Sequence, residues 1–344
     1  MEGRSPFALA SVALAAGRLR GGYVLVAVPQ LLERRLIFVT GKGGVGKSTV
    51  ATALGLLAAR RGLRTIVAEL SSQERVRQAF ATSGATFEEV ALADDLFTIS
   101  IDPQRAMEEY LRVKTGAVGQ ALGQSRLFNA LAMATPGMRE LLSIGKIWEL
   151  SQHERRSDGG DVYDLVIVDS PAAGHGAGIL RTPRTFAEIA RVGPIAHQAG
   201  SIAATIADHS FTAVIAVSTP EEMPVSETLW LRDTLADDGL ELEATIINSC
   251  YPPRFSAADH ARLETSRRQA RSPLAKAALA AALSERTRAD IQHEQLVRLR
   301  DGLGTELIEL PCLFAEEMGR PELEQLADSL EGGLARLESV PVGG

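Results

Sequence analysis

Cysteine is nearly missing from this chain: Cys250 and Cys312 are the only two in 344 residues. Two thiols are too few for a disulfide scaffold or for a zinc site within one chain, and they fit a reducing compartment. No run of about 18 or more uncharged apolar residues occurs, so no membrane-spanning helix is expected. An excess of basic residues is missing as well, since the formal net charge is −7. A protein that neutralises many phosphates usually shows a basic balance, so no nucleic-acid partner is expected. Lysine is scarce too, at positions 42, 47, 114, 146 and 276 only. In so arginine-rich a chain, two lysines within one short glycine loop stand out.

Apolar content is ordinary for a globular protein, at 45%. Short apolar runs alternate with helical patterns. Leu36 to Thr40, Arg64 to Glu69, Leu96 to Ile101, Tyr163 to Val168, Thr212 to Val217, Leu242 to Asn248 and Thr305 to Leu310 read as seven strands. Strands separated by helices predict an α/β fold, with a single doubly wound, mostly parallel sheet and helices on both faces. Two connections are too long for simple crossovers. Residues 104–161 and 183–209 read as helical and are expected to sit together beside the sheet as a subdomain; residues 257–302 form a third helical stretch. With no repeat or low-complexity linker, residues 31–338 read as one domain, flanked by an extension (1–30) and a short tail (339–344).

The strongest signal is Gly41-Lys42-Gly43-Gly44-Val45-Gly46-Lys47-Ser48-Thr49, which fits GxxxxGK[ST] between a strand and a helix. Glycines let backbone N–H groups turn inward around a β-phosphate, and the helix N-terminus adds partial positive charge. Lys47 is placed for the β- and γ-phosphates and Ser48 for Mg²⁺. Asp169, at the end of the apolar run 163–168, has the position of a second Mg²⁺ carboxylate. ATP and Mg²⁺ are thus the expected ligands. ATP also bears on the N-terminus. Pro6 to Ala16 follow Arg4 with the outline of a short signal peptide, but a nucleotide site of this kind favours a cytoplasmic protein with a plain extension.

The second loop lysine, Lys42, makes GKGGxGK[ST] resemble the deviant Walker A ATPases. That resemblance implies a face-to-face dimer in which Lys42 reaches the partner's phosphates, the role of an arginine finger. Around Asp169 the sequence reads DSPAAGH through Gly174 and His175, then Ile179-Leu180 and Pro183; further on come Pro220-Glu221-Glu222-Met223 with Glu227-Thr228. With Asn248 closing a strand and Leu310-Pro311 closing the last one, these segments resemble the ArsA and guided-entry ATPase family over residues 35–335. The resemblance implies that Gly174 lies in switch II, and that Asn248 and Pro311 border the adenine. Three methionines, Met107, Met133 and Met138, fall in the helical region. They read first as core, with a methionine-lined client groove as the sharper alternative. Pro136 to Leu141 reads as a helix start that could couple to the switches.

Several departures matter. The family's switch I aspartate falls at Ser71, with Glu69 two residues earlier. Hydrolysis is then expected to be slow, to rest on Glu69, or to need a paralogous partner. No cysteine occurs in residues 104–209, so an arsenite site is not expected, and the zinc-binding CxxC of the eukaryotic targeting dimers is absent. Two readings follow. One is an ATPase whose dimer opens and closes a helical region around a protein or membrane-protein client. The other is an ATP-binding regulatory subunit, weak in hydrolysis, that pairs with a paralogue.

Overall fold

The computed structural model describes residues 28–70, 74–123, 134–155, 161–190 and 194–339. Strands β1 (Leu36–Thr40), β2 (Thr65–Glu69), β3 (Val90–Ala93), β4 (Leu96–Ser100), β5 (Leu165–Asp169), β6 (Thr212–Ser218), β7 (Ala244–Cys250) and β8 (Ile308–Pro311) form one sheet in the order β3-β4-β2-β5-β1-β6-β7-β8. All neighbours are parallel except β3, which pairs antiparallel with β4 at the edge.

The apolar runs are continuous because both faces of the sheet are covered. Ile37 and Val39 of β1, Leu165 and Ile167 of β5, and Ile215 and Val217 of β6 point into one core. Helices α1 (Lys47–Arg60) and α10 (Arg320–Ser339) close it, the latter through Leu323, Leu326 and Leu330. The alternate residues Leu36, Phe38, Val166, Val168, Val214 and Ala216 point into a second core on the opposite face. That face is covered by α4 (Met138–Leu150), α5 (Ala173–Ala190), α6 (Pro194–Ala207) and part of α7 (Glu222–Asp237). Helix α3 (Pro103–Gly123) packs on α4, and α4 packs on α5 and α6. Smaller α2 (Arg75–Ala79) follows β2, and the antiparallel pair α8 (Ala257–Gln269) and α9 (Pro273–Leu303) precedes β8.

Three expectations are corrected. The sheet has eight strands rather than seven; β3 is a short, half-exposed edge strand of four residues, joined to β4 by a tight turn through Asp95 at φ 56. A helix covers residues 173–190 and holds Pro183 in its interior, whereas the helical stretch expected from the sequence begins only at residue 183. Packing on α6 and on β1 overrides the local cost of that proline. Asn248 does not end its strand, because β7 continues to Cys250. Most of the expected extension (1–27) and the end of the tail (340–344) lie outside the described residues; Val28–Glu33 form a 3-10 turn that packs on α10. The helix expected near Pro136 starts at Met138, with Gly137 at its N-cap.

Candidate active site

Adjacent parallel strands β2, β5 and β1 bring Glu69, Asp169 and the start of the glycine loop to one carboxyl edge of the sheet. Glu69 stands in register with Asp169, and Asp169 with Val39. Side chains alternate along a strand, so Asp169 shares the α1-facing side with Leu165 and Ile167, and Glu69 shares it with Val67.

The loop 41–46 needs its glycines. Gly41 and Gly46 have φ of 144° and 91°; a Cβ on Gly41 would sit 2.1 Å from the Val217 carbonyl oxygen, and one on Gly46 2.3 Å from Asn248 Nδ2. Gly46 is the N-cap of α1 and offers no side-chain cap, so the first amides of α1 are left for another acceptor. Lys47 Nζ donates to the Lys42 carbonyl at 3.0 Å, which closes the loop on itself. Ser48 Oγ donates to Asp169 Oδ2 at 2.6 Å. The hydroxyl and carboxylate expected to share Mg²⁺ are thus brought together by α1 and β5. Burial pushes Asp169 above the ordinary carboxylate value, against the Ser48 hydrogen bond and the Lys47 charge. Burial likewise pulls Lys47 down, and Asp169 opposes that shift. Hard oxygen donors beside a half-buried cation suit a magnesium–phosphate pair, since Mg²⁺ takes few protein ligands and completes its shell with phosphate and water. Thr49 occupies the first turn of α1, while Gly43 and Gly44 form the exposed tip of the loop and Val45 is buried beneath it.

Similarity to known proteins agrees with this geometry. The anion-transporting ATPase family (ArsA) matches residues 34–198. The ATPase BagA of Mycobacterium tuberculosis is 31% identical over 238 residues, covering 66% of this chain and 68% of its own length. The chain belongs to the ArsA ATPase family. More distant ArsA relatives cover more of it: the ATPase GET3 of Chaetomium globosum is 24% identical over 336 residues, with 86% of this chain and 90% of that protein aligned. The ATPase get3 of Neurospora crassa is 22% identical over 334 residues, with the same coverage.

Ser71 lies outside the described residues. Glu69 is fully buried. Its Oε1 accepts the Val76 amide at 3.3 Å, and Oε2 has no hydrogen-bond partner among the described residues. Burial pushes its pKa up to about 7; the amides of Val76 and Arg75 and the Arg77 guanidinium hold it down, while Asp169 adds to the rise. Arg77 is itself buried, ion-paired with Glu74 and hydrogen-bonded to the Ala85 carbonyl at 3.1 Å, so α2 is pinned over Glu69.

Two charged groups near the loop were not singled out as site residues from the sequence. Lys42 Nζ makes an ion pair with Glu227 on α7, within the same chain. The exposed Arg75, at the start of α2, adds positive potential at both Lys47 and Asp169. Glu227 lay inside the PEEM…ET segment, so its position was visible and its partner was not. At the far side, Asn248 is buried and donates Nδ2 to the Val45 carbonyl at 3.0 Å, tying β7 to the loop. Pro311 faces Cys250 across β7 and β8, and the Cys312 amide donates to the Cys250 carbonyl at 2.8 Å. The two cysteines, distant in sequence, therefore meet in space. Burial pushes the Cys250 thiol up to about 12, which leaves it protonated and a poor soft-metal ligand. Gly174 lies in the first turn of α5.

Proposed function

We propose that this chain is an ArsA-type ATPase that binds Mg·ATP in the 41–49 loop, closes as a dimer, and couples hydrolysis to movement of its helical subdomain. The observation that carries this reading is the 2.6 Å contact of Ser48 with Asp169 at the foot of a glycine loop whose two ends, Gly41 and Gly46, leave no room for a Cβ. Backbone amides of residues 41–46 and the N-terminus of α1 cradle the phosphates, and Lys47 supplies a cation to the bridging oxygens. Ser48 and Asp169 would hold Mg²⁺, which when bound would offset negative charge on the phosphates.

Lys42 is the group delivered in trans. Its ion pair with Glu227 exchanges for the partner's nucleotide when two copies close. Glu69 stands in for the switch I aspartate: its Oε2, without a hydrogen-bond partner among the described residues, accepts a proton from the attacking water, for which a pKa near neutrality is suited. Asn248 and Pro311 border the adenine on β7 and β8, and Gly174 opens the switch II segment. The reaction belongs in the cytoplasm, where ATP is supplied.

The helical subdomain, residues 104–161 and 183–209, is the moving part. Between α3, α4 and α6 runs a groove of about 190 Å³, walled by Met107, Met138, Leu141, Trp148 and Ile202. Met107 is a core side chain whose edge reaches this groove; Met133 lies outside the described residues. Lys146 sits in the wall between Glu109 at 2.8 Å and Glu149 at 3.0 Å, so the groove is apolar with a neutralised charge cluster. A protein client with an apolar helix fits this chemistry. A second reading, a regulatory subunit paired with a paralogous ATPase, is favoured by one observation: Glu69 is fully covered and its other oxygen is engaged by α2.

Light scattering with a non-hydrolysable ATP analogue tests the dimer. Doubling of mass on analogue binding by the wild type, and no doubling with Lys42→Ala, is expected. A wild type that binds the analogue and stays monomeric would refute the closed homodimer and direct the search to a paralogue.

A further inference from the structure

The hairpin of α8 and α9 takes no part in the nucleotide site or the groove, yet it is the most exposed part of the described chain. Helix α8 buries no residue, and α9, 31 residues long, buries none before Leu283. Its later half is fixed to the body, where Leu296, Leu299 and Leu303 pack with Val225 and Ile247. At about 1.5 Å per residue, the first ten or so residues of α9 extend roughly 15 Å beyond Leu283, its first buried residue, with α8 alongside.

The tip has a distinct composition. Residues 262–276 carry five cations (Arg262, Arg267, Arg268, Arg271 and Lys276) and one carboxylate (Glu264), in a chain of net charge −7. Arg267, Arg268, Arg271 and Lys276 are all exposed, and Arg268 reaches only Glu264, at 3.6 Å. Beside them Leu274 is 79% exposed, the most open large apolar side chain among the described residues. Ala275, Ala277 and Ala278 continue this open apolar start of α9.

The geometry points to a membrane-docking arm: the α8–α9 tip binds the surface of an anionic lipid bilayer, with Leu274 entering the interface and the four cations facing lipid headgroups. Cations flanking an exposed apolar helix start are complementary to such a surface, which offers negative charge above a hydrocarbon layer. Nucleic acid offers the charge but no partner for the leucine, and residues 262–282 contain no aromatic side chain on which a base could stack. The root of the arm is tied to the segment after Asn248. Gln292 accepts the Tyr251 amide at 2.7 Å and donates to the Ser249 carbonyl at 3.2 Å, so docking the tip would hold the nucleotide domain near the membrane.

Flotation of the full chain with phosphatidylcholine vesicles containing about one-third phosphatidylglycerol tests the arm, with pure phosphatidylcholine vesicles as the comparison. Binding only to the anionic vesicles is expected, weakening with salt. R267Q/R268Q should lower the partition coefficient about 30-fold, at roughly 5-fold per charge, and Leu274→Ser about 10-fold. Thermal melts of both variants should match the wild type, because every substituted side chain is exposed. No binding to anionic vesicles at low salt would overturn the proposal, as would binding that R267Q/R268Q leaves intact. Charge-dependent retention on duplex DNA without vesicle binding would overturn it in favour of a nucleic-acid arm.

Discussion

Replacing Glu69 by glutamine should make the protein clearly more stable at pH 8 and only slightly more stable, by about 1 kcal/mol, at pH 5. Glu69 is fully buried beside Asp169, and its pKa is pushed from 4.5 up to about 7. Between those values the folded protein binds a proton that the unfolded chain has lost. Stability therefore falls as pH rises through this window, and the full cost is present above the folded pKa. At 1.36 kcal/mol per unit the cost amounts to about 3 kcal/mol. Glutamine keeps the oxygen that accepts the Val76 amide and removes the charge. For a chain of this size, about 3 kcal/mol corresponds to roughly 4 °C in melting temperature. Thermal melts of wild type and Glu69→Gln at both pH values read the difference directly, since shifts of other groups cancel in it. A gain of the same size at pH 5 and pH 8 would refute the reasoning, for it would mean that the carboxyl is not held protonated by burial.

Lys42→Ala should lower ATP turnover by about 10³-fold while leaving nucleotide affinity within a few-fold, because a cation delivered in trans acts on the transition state; single-turnover kinetics with a parallel binding titration checks both. Glu227→Gln frees Lys42 from a partly exposed ion pair worth at most about 1 kcal/mol, so analogue-driven dimerisation measured by light scattering should tighten about 2- to 5-fold. Asp169→Asn should raise the Mg²⁺ concentration for half-maximal ATP binding about 10- to 100-fold, measured by fluorescence titration with a labelled nucleotide.

Much of this could be read from the order of residues alone. A strand buried on both faces is apolar at most positions, so β1, β2, β4, β5, β6 and β7 showed themselves as short apolar runs. The glycine loop was legible because its turn demands glycine where Val217 and Asn248 press in. What stayed hidden depends on contacts distant in sequence. Edge strand β3 is fixed by pairing with β4 and has little buried surface to mark it. Helix α5 runs through glycines and Pro183, whose local preference is against it, because packing on α6 decides. The Lys42–Glu227 pair joins residues 185 positions apart, and Cys250 meets Cys312 only across β7 and β8. Glu69 was legible as a candidate acid, but its burial under α2 depends on Arg77 and Val76, which no motif singles out.

The most direct measurement is steady-state ATP hydrolysis by the purified chain, with Lys47→Ala as the blank. Mg²⁺-dependent turnover clearly above the blank, with a specific rate that rises with protein concentration as the dimer forms, is the expected result. ATP bound by the wild type and turnover equal to that of Lys47→Ala would contradict it, and would leave this chain as the nucleotide-holding member of a pair.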